Sequence, residues 1–300
     1  MLTVIGNTPL VQLRQVVPAG AAEVWVKLEW YSPTGSYKDR MALAMVEEAE
    51  KRGELRPGMT VVEYTGGSTG SSLAFVCAAK GYRFAVVSSD AFSAEKLATM
   101  RAFGADLTVV PSEGGRITPD LIPRLIEKAK EIAASTDSYA TDQFNNRDSV
   151  VGYRNIGREL VDQLGQFDLF CGAVGTAGML LGVASIVKPR GVQVVALEPA
   201  STPVLSGGQP GTHRVEGVGS GFVPPLYNPE MVDRVVDVDE ERGREMARRL
   251  MAEEGLMAGT SSGLNVRAAV DLAEELGNGS RVVTVAVDTG LKYLSGDLYA

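Results

Sequence analysis

Short apolar runs with no polar face restrict this chain most. Phe84-Ala85-Val86-Val87 and Val282-Val283-Thr284-Val285-Ala286-Val287 are the clearest of them. Successive side chains of a strand point to opposite sides, so a strand apolar at nearly every position must be covered on both faces. Further strands are predicted at Val61–Tyr64, Leu107–Val110, Leu169–Val174, Val192–Glu198 and Arg234–Val238. Helical patterns lie between them, near Asp39–Lys51, Ser71–Lys80, Ala94–Phe103, Pro119–Ala134, Val150–Gln163, Gly178–Lys188, Glu240–Glu254 and Gly263–Leu276. Strands alternating with helices imply parallel sheets sandwiched between helices, the α/β class. At roughly 150 residues per domain, 300 residues make about two domains or one large one. The polar, turn-rich run Thr136–Asp148 is the expected boundary between them.

Composition removes several functions. With 29 Lys plus Arg against 37 Asp plus Glu the chain carries a formal charge of −8, and no basic cluster is visible, so sequence-independent nucleic-acid binding is disfavoured. No apolar run reaches the roughly 18–20 residues of a membrane span, and no signal-type leader is visible, so a cytoplasmic location is expected. Two cysteines, Cys77 and Cys171, and the single histidine His213 are too few for a structural zinc site or a disulfide framework, and no metal is expected. His213 stands between two glycine-rich turns and is read as a loop residue. Proton chemistry, if there is any, is then left to lysine, carboxylates, hydroxyls or a bound cofactor.

Ligands of open α/β sheets bind at the carboxyl ends of strands, so the loops after strands are the places to look. Tyr64-Thr65-Gly66-Gly67-Ser68-Thr69-Gly70-Ser71-Ser72 follows a strand and opens a helix. Its glycines allow close backbone approach, and the unpaired N–H groups of a helix start favour a carboxylate or phosphate. Gly172-Ala173-Val174-Gly175-Thr176-Ala177-Gly178-Met179 repeats the arrangement. Its spacing is not Gly-x-Gly-x-x-Gly, so one phosphate suits it better than a dinucleotide. In Pro33-Thr34-Gly35-Ser36-Tyr37-Lys38-Asp39-Arg40, Ser36 and Asp39 read as a helix-opening signal. Lys38 then falls in the first turn, where the helix dipole disfavours a cation and lowers the amine pKa, as Schiff-base chemistry requires. Thr289, in Val287-Asp288-Thr289-Gly290, offers a hydroxyl at the end of the last strand.

In this order the segments resemble the cysteine synthase (O-acetylserine sulfhydrylase) family of pyridoxal-phosphate enzymes. The likeness starts at Ile5-Gly6-Asn7-Thr8-Pro9-Leu10, Lys27-Leu28-Glu29 and the Lys38 segment. It continues through Asp142-Gln143-Phe144-Asn145-Asn146, Gly175-Thr176-Ala177-Gly178, Glu198-Pro199 and Pro203-Val204-Leu205-Ser206-Gly207-Gly208. Gly217-Val218-Gly219-Ser220-Gly221-Phe222-Val223-Pro224, Gly259-Thr260-Ser261-Ser262-Gly263 and Asp288 to Ser295 complete it. The resemblance implies the fold of the tryptophan synthase β-subunit (fold type II): two three-layer α/β domains, with a movable smaller domain at 36–146 and a larger cofactor-binding domain made of 1–35 plus 147–300. It also implies pyridoxal 5'-phosphate as cofactor. Lys38 would be its Schiff-base lysine, Gly175, Thr176, Ala177, Gly178 and Met179 its phosphate loop, and Thr289 the neutral partner of its ring nitrogen. Ser68 would stand at the cofactor's phenolic oxygen. Thr65, Gly66, Ser68, Thr69 and Gln143 would take the substrate carboxylate, with Gly219 near the amino group.

The implied reaction is β-replacement: L-cysteine from O-acetylserine, or a related activated serine, and sulfide, through an aminoacrylate, with Lys38 as both base and acid. The resemblance further implies a homodimer and a partner in the C-terminal tail of serine acetyltransferase. The chain departs from the family pattern at several positions, with Ala177 in place of a glycine and Ser88-Ser89-Asp90 in place of Met-Pro-Glu among them. Gly66 stands where a serine is usual and loosens the loop, Ser68 replaces an asparagine, and Met179 replaces a threonine. These keep two alternatives open: another β-elimination or replacement enzyme, such as a cysteine desulfhydrase or a serine/threonine dehydratase, and a catalytically silent regulatory homologue.

Overall fold

The computed structural model describes residues 1–115 and 120–300. They form two compact units, one made of Met1–Ile5 with Lys38–Gly152 and one of Gly6–Tyr37 with Tyr153–Ala300. Pro119, the expected start of the fourth helix, lies outside the described residues.

The first unit holds helices α1 (Lys38–Arg52), α2 (Ser68–Lys80), α3 (Ala94–Ala102) and α4 (Leu121–Ser135). Its strands are β3 (Thr60–Tyr64), β4 (Arg83–Ser89), β5 (Asp106–Val110) and β6 (Ser138–Ala140), the chain's first two strands belonging to the other unit. All pair in parallel in the order β5-β4-β3-β6. Alternate residues face opposite sides, as the doubly apolar runs require. Val61 and Val86 pack with Ala42, Val46, Leu73 and Val76 from α1 and α2. Val62, Ala85 and Val87 pack with Leu121, Leu125 and Ala129 of α4. Leu2 and Ile5 lie against the first of these cores, so the first five residues group here and not with the larger unit expected from the sequence.

The chain moves outward from β3 to β5 with α2 and α3 on one face, then returns over the other face through α4 to place β6 beside β3. A right-handed crossover can reverse direction only by changing faces. β3 and β6 are therefore neighbours whose chains leave in opposite directions, and a ligand crevice belongs at their carboxyl ends. The run Thr136–Asp148, expected as a domain boundary, in fact contains the strand β6. Its few residues and polar flanks conceal it in the sequence. Its register with β3 (Thr60 opposite Ser138, Val62 opposite Ala140) sets where the segment up to Gln143 leaves the sheet.

The second unit holds β1 (Leu10–Gln12), β2 (Glu23–Leu28), β7 (Leu169–Ala173), β8 (Gln193–Pro199), β9 (Arg234–Val238) and β10 (Arg281–Ala286). Their order is β1-β2-β10-β7-β8-β9, and only the β1–β2 pair is antiparallel. α5 (Asp148–Leu164) crosses the division between the units, and α6 (Gly178–Val187) joins β7 to β8. α7 (Glu240–Glu254) and α8 (Thr260–Leu276) lead from β9 back to β10, beside β7. Val24, Val26, Leu28, Leu169 and Cys171 pack with Leu250, Leu264, Val266 and Ala269 of those two helices. The sequence pattern does not reveal β2, because Glu23 and Lys27 interrupt its apolar residues. Lys27 is wholly buried: its ammonium meets the Thr8 carbonyl at 2.6 Å, Gln163 at 2.8 Å and Glu159 of α5 at 2.7 Å. A buried charge persists only when so paired.

β10 and β7 are again neighbours reached over opposite faces, and here they part. Ladder partners are registered only at Val282–Leu169 and Val283–Phe170. Beyond them the fully buried Asn265 of α8 takes the place of the ladder, accepting the Ala173 N–H (2.8 Å) and donating to the Val285 carbonyl (2.9 Å). The Thr284 hydroxyl donates to the Cys171 carbonyl at 2.8 Å. Asn265→Leu should cost about 2–6 kcal/mol, because two buried backbone groups lose partners worth about 1–3 kcal/mol each. Urea denaturation measures it, and a loss below about 1 kcal/mol would show that the parted strands do not depend on this side chain.

Candidate functional site

The first unit brings together Thr65, Ser68, Thr69 and Gln143 at the carboxyl ends of β3 and β6. The Thr65 N–H continues the β4 ladder by donating to the Val87 carbonyl (3.0 Å), and its hydroxyl oxygen accepts the Gly67 N–H (3.2 Å). Ser68 is the first residue of α2, and no side chain caps that helix. The N–H groups that open a helix point along its axis and suit an anion, while that of Gly70 already donates to the Gly67 carbonyl (3.0 Å). Next along the helix, the buried Thr69 hydroxyl donates to Gln143 Oε1 at 2.8 Å. The donors of the Gln143 amide are thereby turned away from Thr69. Lys38 is the first residue of α1 and is buried together with Asp39 and Arg40.

Behind this cluster lies Glu63, a residue with no part in the expectations from sequence. It is buried at the end of β3, where it accepts the Thr141 hydroxyl (2.7 Å), the Gln143 N–H (3.2 Å) and the Tyr64 N–H (3.0 Å). Burial pushes its carboxyl pKa up to about 7 against the pull of those donors. The Thr141 hydroxyl also lies 3.2 Å from the Val62 carbonyl. When Glu63 is protonated its proton can go to Thr141 while Thr141 donates to Val62, so the Gln143 backbone stays anchored in either state. A carboxylate in an otherwise apolar strand was the available signal.

Gly66 is not a loosened point of the loop. A Cβ built there runs into the Phe92 ring, and one on Gly70 would lie 2.6 Å from Met100 Cε and 2.7 Å from Thr65 Cγ2. Phe92 occupies the space a serine side chain would need, so the loop is held by packing. Gly66→Ser should destabilise by about 1–3 kcal/mol, the usual cost of overpacking. Phe92→Leu should recover part of that cost, with coupling of about 0.5 kcal/mol or more in a double-mutant cycle. Additive effects would mean the two residues are not matched.

The second unit brings Gly175, Thr176, Ala177, Gly178, Gly219 and Thr289 to the ends of β7 and β10. α6 starts at Gly178 after Ala177, which has left-handed φ (69°) and offers no side-chain cap. A Cβ on Gly175 would overlap the Gly217 carbonyl, so only glycine fits there. The Thr176 hydroxyl oxygen lies 3.4 Å from the Gly178 nitrogen. The buried Met179 side chain packs on β7, its Cε 2.7 Å from where a Cβ of Gly172 would be, leaving the backbone N–H as what Met179 can offer an anion. This glycine-rich cradle, whose one nearby side-chain hydroxyl is that of Thr176, fits one phosphate group.

Thr289 is held on both sides. Its N–H donates to the Gly35 carbonyl (3.1 Å), its Oγ1 accepts the Leu291 N–H (3.2 Å), and Gly35, with φ 70°, leaves no room for a side chain against its methyl. Its hydroxyl proton remains to be donated. The Gly259–Gly263 motif fastens this corner. The Gly259 N–H donates to the Asp288 carbonyl (3.1 Å), Ser262 Oγ accepts the Val287 N–H (2.8 Å), and Tyr293 donates to Asp288 (2.9 Å). Burial, with Asp288 beside it, holds the Tyr293 phenol well above its ordinary pKa, as a neutral donor. Both cysteines are buried, and burial pushes each thiol up to about 12, which removes them as nucleophiles. Among the described residues no helix is long and apolar enough to cross a membrane.

The chain matches the pyridoxal-phosphate dependent enzyme family over residues 1–288. It is 43% identical to a cysteine synthase of Staphylococcus aureus over 302 residues, covering 99% of this chain and 96% of that one. Among solved structures it resembles a cysteine synthase of Entamoeba histolytica (TM-score 0.92, 34% identity, 99% of this chain and 89% of that one). A hydrogen sulfide-producing enzyme of Fusobacterium nucleatum is similar to it at TM-score 0.90 and 33% identity, with 98% of each chain covered.

Proposed function

The chain belongs to the cysteine synthase family of pyridoxal-phosphate dependent enzymes, and from that premise we propose how its own residues divide the work of forming L-cysteine from O-acetylserine, or a related activated serine, and sulfide. The observation that carries the reading is the pair of glycine-rich helix starts, α2 and α6, whose N-cap residues Gly67 and Ala177 make no side-chain cap, each at a strand switch of its own unit. One suits a carboxylate and the other a phosphate.

Gly175, Thr176, Ala177, Gly178 and the Met179 backbone would hold the cofactor phosphate, and the Thr289 hydroxyl its ring nitrogen. Ser68 would lie at the phenolic oxygen, and Lys38 would be the covalent attachment point. When bound, pyridoxal phosphate supplies an electron sink for the carbanion at the substrate Cα. Thr65, Thr69 and Gln143, with the backbone at Gly66 and the first turn of α2, would bind the substrate carboxylate. The Gly219 carbonyl would take the amino group. The Lys38 amine would accept the Cα proton and later return it, so one lysine performs both proton transfers. A neutral hydroxyl at the ring nitrogen suits β-elimination, because it leaves the ring short of its strongest acceptor form.

The sulfide-producing relative, together with Ser68, favours one second reading: elimination that releases sulfide from cysteine. It would use the same residues to run only the sulfide-addition half backwards: Lys38 takes the Cα proton, hydrosulfide leaves Cβ, and water hydrolyses the released three-carbon product to pyruvate and ammonia. A cytoplasmic homodimer that takes the tail of serine acetyltransferase belongs to the proposal and is supported by the family likeness alone.

Borohydride reduction followed by peptide mass mapping should find the cofactor's mass added at Lys38. Lys38→Ala should lose that label and at least about 10³-fold in turnover, the scale of a general acid–base group. A label on another lysine, or wild-type turnover in the variant, would overturn the assignment.

A further inference from the structure

The chain's single histidine makes two hydrogen bonds that together admit one protonation state. Nδ1 of His213 accepts the Val215 N–H at 3.2 Å, so it carries no proton. Nε2 lies 2.9 Å from the Gly219 carbonyl oxygen, which can only accept, so Nε2 must carry the proton. The ring is therefore the neutral Nε2–H tautomer, donating to Gly219.

Gly219 is gripped at both of its backbone groups. Its N–H donates to the carbonyl of Val174 at 3.1 Å, one residue before the Gly175 cradle. It has φ 62°, and a Cβ there would lie 2.6 Å from His213 Nε2, 2.9 Å from Thr202 Cγ2 and 3.0 Å from Pro199 Cγ. The near side of this clamp is itself anchored. The Arg214 N–H donates to Glu240 of α7 (2.7 Å), the Arg214 guanidinium pairs with Glu241 and with Asp297 (2.6 Å), and the Glu216 N–H donates to Thr260 of α8 (3.0 Å). His213 thus connects a segment fixed to two helices with a glycine loop that touches the cradle.

We propose that His213 is a positioning residue, whose Nε2–H fixes the Gly219 carbonyl so that its second lone pair is presented to the amino group of the amino-acid substrate. This rests on the proposed function, in which Gly219 faces that amino group. A carbonyl oxygen accepts two donors, and a first donor fixed in place both orients the group and polarises it for the second. His213 touches no reacting atom. Its effect is confined to how well an amino acid is held.

Two measurements on the holoenzyme test this. With one histidine in the chain, the ring 15N signals belong to His213 without assignment. At pH 8 they should show Nδ1 unprotonated and Nε2 protonated, and the Nδ1–H tautomer, or averaged signals like those of free imidazole, would overturn the clamp. The second measurement is the binding of L-alanine, which has no leaving group on Cβ, followed by cofactor absorbance in wild type, His213→Ala and His213→Gln. The Kd should rise about tenfold in His213→Ala, one hydrogen bond's worth, and return to within about threefold of wild type in His213→Gln, whose amide can again donate to Gly219. Equal affinities in all three proteins, or equal weakening in both variants, would overturn the positioning role. Because alanine undergoes no β-replacement, its binding stays informative if O-acetylserine proves not to be a substrate. That result would count against the proposed function and leave the His213 inference standing on its own outcome.

Discussion

The proposed cofactor cradle of the larger unit depends on two parallel strands that stop pairing. β7 and β10 are adjacent because their connections run over opposite faces, and past Phe170 and Val283 they separate. Parted strands expose backbone groups that must find other partners, or the crevice costs more than the fold can sustain. Asn265 satisfies one group on each strand at once, and Thr284 reaches across with its hydroxyl. The segment after each strand can then be a ligand loop and not a continuation of the sheet: the Gly175 cradle after β7 and Thr289 after β10.

The smaller unit solves the same problem with other parts. Its switch lies between β3 and β6, and its buried support is a carboxylate, Glu63, which ties the start of the Gln143 segment to the end of β3. Each unit thus has one buried polar side chain behind one glycine-rich helix start. A loop without such backing would be a flexible turn. With it, the backbone donors are fixed before any ligand arrives, which lowers the cost of binding and of charge development.

The fold class was legible because burial on both faces imprints on the composition of a strand, and ten or more residues of 3.6 periodicity mark a helix. β2 and β6 escaped for opposite physical reasons. β2 carries a charge, Lys27, that is buried with the help of a partner 136 residues away. β6 has only three residues, too few to show a pattern. The loops bearing Thr65, Gly175 and Thr289 were visible because glycine followed by a helix has a mechanical meaning. Glu63, Asn265 and His213 were not, since a lone polar residue says nothing of its partners until the chain is folded. The apparent defects had local causes of the same kind: Gly66 makes way for Phe92, and Met179 fills the space left by Gly172.

The central proposal is that Lys38 and the two helix-opening loops serve one β-replacement reaction. Titrating the purified holoenzyme with O-acetylserine and then with sulfide, while following the visible cofactor absorbance and the cysteine released, tests it most directly. The account predicts that O-acetylserine changes the spectrum with loss of acetate, and that sulfide restores it with one cysteine formed per cycle. A spectrum that ignores O-acetylserine, or one that changes and is not restored by sulfide, would contradict it.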